Sequence, residues 1–252
     1  MVTALITGAS SGLGAEYARQ LARRGADVVL VGRDRDALEA VAAQARGHGR
    51  DAEVLVADLL DPGALAAVAA RVADQARPVE ILVNNAGVGM PLAFERNDIE
   101  DEVRHLRLHD EVPLRLMHAA LEPMLGRGHG RILNVASIAA FLPRSTYGAA
   151  KQWLVSFSRW ANVTYRARGV TVTVVCPGFV HTNFHERLGL PPGQEGIAGW
   201  MWLDAPTVVR GSLRDLARGR AVSVPSARYR LVRRVLPLLP DRLTAGLGRR
   251  GR

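Results

Sequence analysis

Two side chains that can exchange protons, Tyr147 and Lys151, lie four residues apart in the sequence. That spacing puts both on the same face of a helix. A free tyrosine has a pKa of about 10, and a neighbouring ammonium group stabilises the phenolate and lowers that pKa. Lys151 is the single lysine among 33 basic residues, which indicates a position that a guanidinium would not suit. We therefore predict that Tyr147 acts as an acid or base with the help of Lys151.

Ser137 comes directly after an apolar run that ends in Val135 and Ala136. If that run is a strand of a parallel sheet, Ser137 lies at the carboxyl edge, where such sheets bind their ligands. Its hydroxyl group could then bond a substrate carbonyl oxygen. A lone serine after a strand is more often a turn or cap residue, so this prediction depends on Tyr147 and Lys151 lying nearby.

A glycine-rich segment follows the first apolar run and leads into an amphipathic one, with the sequence Thr7-Gly8-Ala9-Ser10-Ser11-Gly12-Leu13-Gly14. Glycines allow a tight turn and a close approach of the backbone to a ligand. The free amides and the positive dipole at the start of a helix attract a pyrophosphate. The glycine spacing differs from the commoner G-x-G-x-x-G fingerprint. The segment nevertheless predicts a dinucleotide site.

The end of the second predicted strand bears on which dinucleotide is bound. A carboxylate there would accept hydrogen bonds from the ribose hydroxyls and favour NAD, but Gly32 and Arg33 occupy the place. Because an arginine suits a 2′-phosphate, NADP(H) is the predicted cofactor and NAD(H) the alternative. Arg33 could also be an ordinary surface arginine, and Asp34 lies close by.

Short β-branched runs alternate with longer alanine-rich runs of helical period, a pattern typical of parallel strands joined by helices. The predicted strands are Val2–Thr7, Asp27–Gly32, Ala52–Ala57, Ile81–Asn84, Arg131–Ala136, Val170–Cys176 and Ala221–Val224. The predicted helices are Gly12–Arg24, Arg35–Arg46, Pro62–Gln75, a long one ending near Gly126, Tyr147–Arg168 and Thr207–Leu216. We expect one doubly wound, Rossmann-type α/β domain with a seven-stranded parallel sheet over residues 1–252.

The net charge of +9 belongs to the carboxy-terminal part of the chain, because residues from Val208 onward contain 12 arginines and two aspartates. The basic segment at about 226–252 could form an amphipathic helix that contacts an anionic membrane. The favoured interpretation is that its apolar stripe packs on its own domain or on a partner subunit. No aromatic interleaving accompanies the charge, so nucleic-acid binding is not predicted.

Cellular location is predicted from two features. The only cysteine, Cys176, cannot form an intramolecular disulfide, which favours a reducing compartment and a buried structural thiol. No run approaches the ~20 consecutive apolar residues of a bilayer span. A cytoplasmic protein is expected.

The segment 179–205 breaks the alternation of strands and helices, since it mixes glycines and prolines with aromatic residues. A loop of this length with apolar side chains is typical of a lid or binding loop. The predicted substrate contacts in it are Phe184, Trp200 and Trp202. They favour a small apolar carbonyl compound or alcohol as the substrate.

In combination, these motifs resemble the short-chain dehydrogenase/reductase family over nearly the whole chain. The motifs, in the family's order, are Thr7–Gly14, Asn84–Gly87, Ser137 with Tyr147-x-x-x-Lys151, and Pro177-Gly178 with Thr182. The resemblance implies that a hydride passes between a nicotinamide and a carbonyl carbon. Tyr147 would give the proton to the oxygen or take it, Lys151 would hold the nicotinamide ribose, and Ser137 would orient the substrate oxygen.

The resemblance also implies further cofactor contacts. Those near the adenine would be Asp58 and Leu59. Those along the adenosine would be Asn85, Ala86 and Gly87. Those beside the nicotinamide would be Pro177, Gly178, Val180 and Thr182. Homodimers or homotetramers, formed through helices near Pro113–Leu125 and Trp153–Tyr165, are expected as well.

Two departures from the family pattern stand out. His109 takes the place of an asparagine that supports a proton relay. A histidine could hold a relay water or carry the proton itself, and a structural histidine packed on the helix is the equal alternative. The spacing from Ser137 to Tyr147 is also a few residues short, which would alter one wall of the substrate pocket.

We therefore predict an NADP(H)-dependent oxidoreductase that acts on an apolar ketone, aldehyde or secondary alcohol. The rival from another class is a dinucleotide-binding regulator or scaffold without turnover, and the presence of Ser137, Tyr147 and Lys151 argues against it. An epimerase or dehydratase of the extended branch would need a longer carboxy-terminal domain than 252 residues allow.

Overall fold

Seven parallel strands form the centre of the computed structural model, which describes residues 2–90, 93–143, 145–182, 198–236, 239–240 and 242. The strands are β1 (Thr3–Thr7), β2 (Asp27–Gly32), β3 (Ala52–Val56), β4 (Ile81–Asn84), β5 (Gly130–Val135), β6 (Val170–Val175) and β7 (Val222–Ser223). They lie in the order β3-β2-β1-β4-β5-β6-β7, and each neighbouring pair is parallel. The predicted doubly wound sheet is therefore confirmed.

The central strands are buried on both faces, which explains why they are nearly continuous apolar runs. In β1, the three consecutive residues Ala4, Leu5 and Ile6 are all fully buried. Leu5 belongs to one apolar cluster, and Ala4 and Ile6 belong to the cluster on the opposite side of the sheet. The core thus consists of two apolar layers with the sheet between them.

Helices cover both faces of the sheet. They are α1 (Gly12–Arg23), α2 (Arg35–Arg46), α3 (Pro62–Ala73), α4 (Ile99–Leu106), α5 (Val112–Gly126), α6 (Thr146–Tyr165), α7 (Ala205–Ala217) and α8 (Ala227–Val235). Buried residues of α1, α2 and most of α7 pack on one face, and those of α3, α5 and α6 pack on the other. This arrangement brings the amino end of each following helix to the carboxyl edge of the strands.

The long helix predicted to end near Gly126 is not continuous, and that expectation is corrected. A π-helical turn at Arg107–Glu111 separates α4 from α5. In this turn the Val112 amide bonds the Arg107 carbonyl oxygen, five residues back. Pro113 has no N–H to offer the carbonyl four residues before it, so a regular α-helix cannot run through this point. Turns of this kind frequently occur at functional sites.

The basic tail begins with α8, which packs only in part on its own domain. Tyr229 and Leu236 are buried, whereas Leu231 is 62% exposed and Val235 is also exposed. The apolar stripe of the predicted tail helix is thus divided between the core and the surface. Among the described residues, no helix has the length and apolarity that crossing a membrane requires.

Candidate active site

The turn after β1 forms a narrow backbone cradle. Gly8 has a φ of +65°, which glycine adopts without strain. A Cβ on Gly14 would overlap the carbonyl oxygen of Gly8. The first turn of α1 also carries no acidic side chain, so the helix dipole and its free amides favour an anion here. The residues of the cradle therefore fit a pyrophosphate.

Thr7 and Asn85 join the ends of β1 and β4. The Thr7 hydroxyl accepts hydrogen bonds from the amides of Asn85 and Ala86, both at 3.0 Å. The Asn85 side-chain amide donates to the carbonyl oxygens of Thr7 at 2.9 Å and of Gly8 at 3.1 Å. The strand order reverses between β1 and β4, and such switch points are where doubly wound sheets bind ligands. These bonds hold the glycine cradle at that point.

The residues predicted to read the adenosine end lie at the surface. Arg33 and Asp58 are exposed at the ends of β2 and β3, whereas Leu59 is buried. Asp34 accepts a hydrogen bond from the Ala37 amide at 3.0 Å and caps α2. One carboxylate oxygen of Asp34 is thus used in the cap. Arg33 is the first charged side chain after β2.

Tyr147 and Lys151 lie on the same side of α6, as their spacing predicts. The Lys151 ammonium group is 5.7 Å from the centre of the Tyr147 ring, and it donates to the carbonyl oxygen of Val135 at 2.9 Å. Val135 is two residues before Ser137, so this bond ties α6 to the strand end that carries the serine. Ser137 Oγ accepts from the Ala139 amide at 3.1 Å, which leaves the hydroxyl proton available to another acceptor.

Burial controls the charge of Lys151. Only 5% of the residue is exposed, and burial lowers the pKa of Lys151 to about 8, although the Asp110 carboxylate acts in the opposite direction. Burial raises the pKa of Asp110 to about 6, opposed by the charge of Lys151. The ammonium form is therefore favoured below about pH 8, where it can stabilise a neighbouring phenolate.

His109 lies in the π-helical turn and contacts both sides of the cleft. Its ring centre is 5.6 Å from that of Tyr147, edge to face. On the other side its Nε2 is 2.9 Å from the Val88 carbonyl oxygen. Burial, together with the charges of Lys151 and His105, holds the pKa of His109 well below its usual 6.5, so the imidazole is neutral at neutral pH.

A small enclosed cavity of about 10 Å³ lies between His109 and Lys151. Its lining is Thr7, Asn84, Ala86, Leu108, His109, Val112, Pro113, Val135, Lys151 and Leu154. Within the described part of the chain, Asn84 Oδ1 and His109 Nδ1 are buried and have no hydrogen-bond partner. The cavity has room for about one water molecule with several polar partners.

The loop after β6 passes the same edge of the sheet. The Pro177 carbonyl oxygen accepts from the Ile138 amide at 2.8 Å, and Gly178 lies against the ring of Tyr229. Val180 pairs with Leu203, so the two ends of the predicted lid meet at this point. Thr182 reaches the neighbourhood of Gly12.

The predicted substrate contacts are only partly accounted for. Phe184 falls in 183–197, outside the described residues, as does most of the predicted lid. Trp202 stacks on His181 with ring centres 4.5 Å apart, whereas Trp200 is 65% exposed. The roles of these three residues stay predictions.

The sequence analysis assigned no role to His105 or Asp110, and it named Asn84 only as the start of a family motif. The ring centres of His105 and His109 are 4.3 Å apart, and Asn84 donates to the Asn134 side chain at 2.9 Å. The position of His105 four residues before His109 is the one signal that the sequence offers, since this spacing puts both on one helix face. Asp110 and Asn84 carry no comparable signal.

A larger groove of about 760 Å³ lies elsewhere, between β3 and α3 at the edge of the sheet. Its lining is mostly small apolar side chains, with Glu53, Arg71, Asp74 and Arg77 at its margin. Glu53 and Arg71 form an ion pair at 2.9 Å. None of the residues predicted to carry the chemistry, Ser137, Tyr147 and Lys151, lines this groove.

Comparison with known proteins agrees with this geometry. The family model for short chain dehydrogenases matches residues 2–191. A rat protein, dehydrogenase/reductase SDR family member 7B, is 34% identical over 188 residues, which cover 71% of this chain but only 58% of the length of the rat protein.

Two solved structures are similar over the whole chain. A short-chain dehydrogenase from Sphingobium yanoikuyae, in complex with NADPH, is 34% identical with a TM-score of 0.84, and the match covers 100% of this chain and 97% of that one. A bulky-bulky ketone specific alcohol dehydrogenase from Comamonas testosteroni is 30% identical with a TM-score of 0.80, covering 100% and 95%.

Proposed function

The chain belongs to the short-chain dehydrogenase family, and from that premise we propose that it is an NADP(H)-dependent oxidoreductase that interconverts apolar ketones or aldehydes with their alcohols. The observation that carries the proposal is the position of Tyr147. Its ring lies 5.7 Å from the Lys151 ammonium group and 5.6 Å from the His109 ring, at the sheet edge that holds the phosphate cradle. When bound, the nicotinamide supplies or accepts the hydride.

The proton chemistry is assigned to three side chains. During reduction, Tyr147 donates its hydroxyl proton to the substrate oxygen, and during oxidation it takes that proton back. The Ser137 hydroxyl, whose oxygen already accepts from the Ala139 amide, donates its own proton to the substrate oxygen and orients it. Lys151 is fixed by the Val135 carbonyl, and its charge stabilises the phenolate that Tyr147 forms in each cycle.

His109 is proposed to hold the water of a proton relay in the interior cavity beside Lys151. Nε2 is 2.9 Å from the Val88 carbonyl oxygen and 3.2 Å from the Val88 amide nitrogen, and the shorter contact favours the tautomer in which Nε2 carries the proton and Nδ1 is an acceptor. A water in the cavity would accept a hydrogen bond from the Lys151 ammonium group and donate to His109 Nδ1 and Asn84 Oδ1. The neutral state of His109 suits this role, because only an unprotonated Nδ1 can accept a hydrogen bond from the water.

Preference for NADP(H) over NAD(H) is proposed from the end of β2. Gly32 ends β2 and Arg33 follows it, so the place where a carboxylate would select the ribose hydroxyls holds no acidic side chain. The exposed guanidinium of Arg33 suits a 2′-phosphate. The NADPH bound to the similar Sphingobium enzyme supports this choice of cofactor.

An apolar carbonyl substrate and a homo-oligomer complete the proposal. The Comamonas enzyme, which is similar over the whole chain, is named for its specificity toward bulky ketones. Assembly is supported by the apolar side chains on the outer side of α6, where Val163 is 80% and Trp160 is 53% exposed. Light scattering on the purified protein measures the number of subunits.

The decisive experiment combines cofactor binding with turnover. NADPH and NADH are titrated into the purified protein and followed by nicotinamide fluorescence, and the NADPH complex is then mixed with a panel of bulky apolar ketones and aldehydes. We expect NADPH to bind more tightly and to be oxidised by at least one compound. The Tyr147→Phe variant is the control for turnover at this site. Failure of both cofactors to bind would overturn the proposal, and binding without turnover would favour the regulator.

A further inference from the structure

The helix α8 is held against the substrate end of the cleft by Tyr229. The Tyr229 hydroxyl donates to the Met201 carbonyl oxygen at 2.8 Å and accepts from the Phe179 amide at 3.3 Å. Its ring lies so close to Gly178 that a Cβ there would overlap it. The loop after β6 and the start of α8 therefore form one packed unit, and the next turn of α8 has a defined place beside the site.

Arg233 is on that next turn. Its guanidinium carbon lies 5.2 Å from the centre of the Phe141 ring. Phe141 ends the short 3₁₀ helix Ile138–Phe141, which begins directly after Ser137. With a rise of about 2 Å per residue, Phe141 is about 8 Å from Ser137 along this helix. Arg233 is thus near the strand end that carries Ser137.

The charge of Arg233 acts on Cys176, which is buried directly after β6. Burial raises the pKa of this thiol to about 12. The positive charges of Arg233 and Lys151 both act against that rise. The guanidinium therefore contributes to the potential at the carboxyl edge of the sheet, along with the lysine that serves Tyr147.

Arg233 differs from Arg228 and Arg230, which also lie on α8, in what it contacts. Arg228 donates to the Trp202 carbonyl oxygen at 3.2 Å, and Arg230 donates to the Val224 carbonyl oxygen at 3.2 Å. Arg233 is half-buried, and in the described part of the chain it has neither a hydrogen bond nor a carboxylate within ion-pair distance. Stacking on Phe141 holds the guanidinium in place and leaves its N–H donors for another acceptor.

We propose that Arg233 binds an anionic group of the substrate, a carboxylate or a phosphate, at the end remote from the reacting carbonyl. This inference rests on the proposed function and makes it more specific: the substrate is a carbonyl compound with an apolar body and an anionic end. An arginine fork matches the oxygen atoms of both groups. The apolar surface of Phe141 lies between the anion and the reacting oxygen, where the body of the substrate passes.

The experiment compares acids with their neutral esters. The probes are 4-acetylbenzoate and 8-oxononanoate, their methyl esters, and 4-acetylphenyl phosphate. Their dissociation constants from the enzyme–NADPH complex are measured by quenching of NADPH fluorescence, and kcat/KM is measured in parallel. We expect at least one anion to bind about 10- to 100-fold more tightly than its ester, since a hydrogen bond to a charged group contributes a binding free energy that corresponds to this ratio. The relative affinity of the carboxylate and phosphate probes identifies the group.

Two substitutions separate a bound anion from the general charge of the tail. Arg233→Met keeps an unbranched apolar side chain next to Phe141 and should bring the ratio of acid to ester affinity close to one. Arg234→Met removes the same charge from an exposed neighbour and should preserve the ratio. Arg233→Lys should recover part of it. Circular dichroism and the NADPH dissociation constant show whether each variant is folded.

The outcomes distinguish this inference from the proposed function. If the esters are reduced and the acids bind no more tightly than the esters, the proposed reaction is supported and the anion site is overturned. If the acids bind in a way that depends on Arg233 but no probe is reduced, the anion site is supported and the proposed reaction is contradicted. Equal losses in Arg233→Met and Arg234→Met, or no binding of any anion, would also overturn the inference.

Discussion

The segments that follow β1 and β4 present mostly backbone atoms to the cleft, whereas those that follow β5 and β6 bring side chains together from distant elements. On the cofactor side, the cradle consists of Gly8, Gly14 and the amides of α1. Bonds between Thr7 and Asn85 hold it in place. It is built almost wholly from the turn itself and tolerates no added Cβ at its closest point.

The catalytic side has a different construction. Tyr147 and Lys151 come from α6, Ser137 follows β5, and His109 comes from the π-helical turn. Their contacts exist only when these elements pack together. Because the two sides are built from different residues, a single substitution should impair either cofactor binding or proton transfer and leave the other nearly unchanged. Four substitutions test this expectation.

The largest effect is expected for Tyr147→Phe. Removing the hydroxyl removes the proton donor, so turnover should fall by about 10²- to 10⁴-fold. The cofactor side is untouched, so the dissociation constant of NADPH should change less than about twofold. Steady-state kinetics and fluorescence titration give the two numbers. Turnover that stays within tenfold of the wild type would mean that another group moves the proton.

A substitution on the cofactor side should have the opposite profile. In Gly14→Ala, the new Cβ meets the Gly8 carbonyl oxygen, and the cradle must open to relieve the overlap. NADPH binding should weaken by about 10- to 100-fold, since overpacking costs about 1–3 kcal/mol.

Gly126→Ala is the matched control for this glycine, because nothing lies within 4 Å of the Cβ position at Gly126. It should bind NADPH like the wild type. Unchanged binding in Gly14→Ala would show that the phosphate lies elsewhere.

Within the cofactor side, Arg33→Ala should change the choice of nucleotide. We expect NADPH to bind about 10-fold less tightly and NADH to bind about as before, because only the 2′-phosphate loses a partner. Arg35→Ala, at the exposed start of α2, removes the same charge nearby and serves as the control. Equal losses for the two nucleotides would exclude a phosphate-reading role for Arg33.

His109→Gln should have the smallest effect, because His109 touches both sides. We expect kcat to fall by about threefold to tenfold with little change in NADPH affinity, since the amide does not place an acceptor where Nδ1 holds the relay water. The pKa of His109 lies well below 6.5, so the wild-type rate should show no break near pH 6.5 from this residue. A lower melting temperature with an unchanged kcat would assign His109 to packing alone.

Much of the fold could be predicted because the relevant signals are local. The central strands are apolar on both faces, so their ends fell within one or two residues of the observed bounds. Helix starts are marked by capping residues such as Asp61, whose carboxylate accepts from the Ala64 amide at 2.7 Å. The interruption between α4 and α5 was missed, although Pro113 is visible in the sequence, because the surrounding residues keep a helical period through it.

The site residues likewise fall into those that the sequence predicts and those that only the packing of distant elements brings together. The sequence pointed to Tyr147 and Lys151 because a spacing of four residues on a helix is a fixed distance. It gave no role to Asp110 or Arg233, because the residues that these two contact are far away along the chain. Arg233, for example, meets Phe141 only after α8 has packed on the loop that follows β6.

By itself, the sequence determined the parallel sheet, the glycine cradle and the tyrosine–lysine pair, since each depends on residues within one turn or one strand. Only the tertiary structure decided the charges of the site. Burial lowers the pKa values of Lys151 and His109, and burial is the result of packing by α5, α6 and the π-helical turn together. Backbone geometry is set by neighbouring residues, whereas solvation and electric fields act through space and exist only in the folded chain.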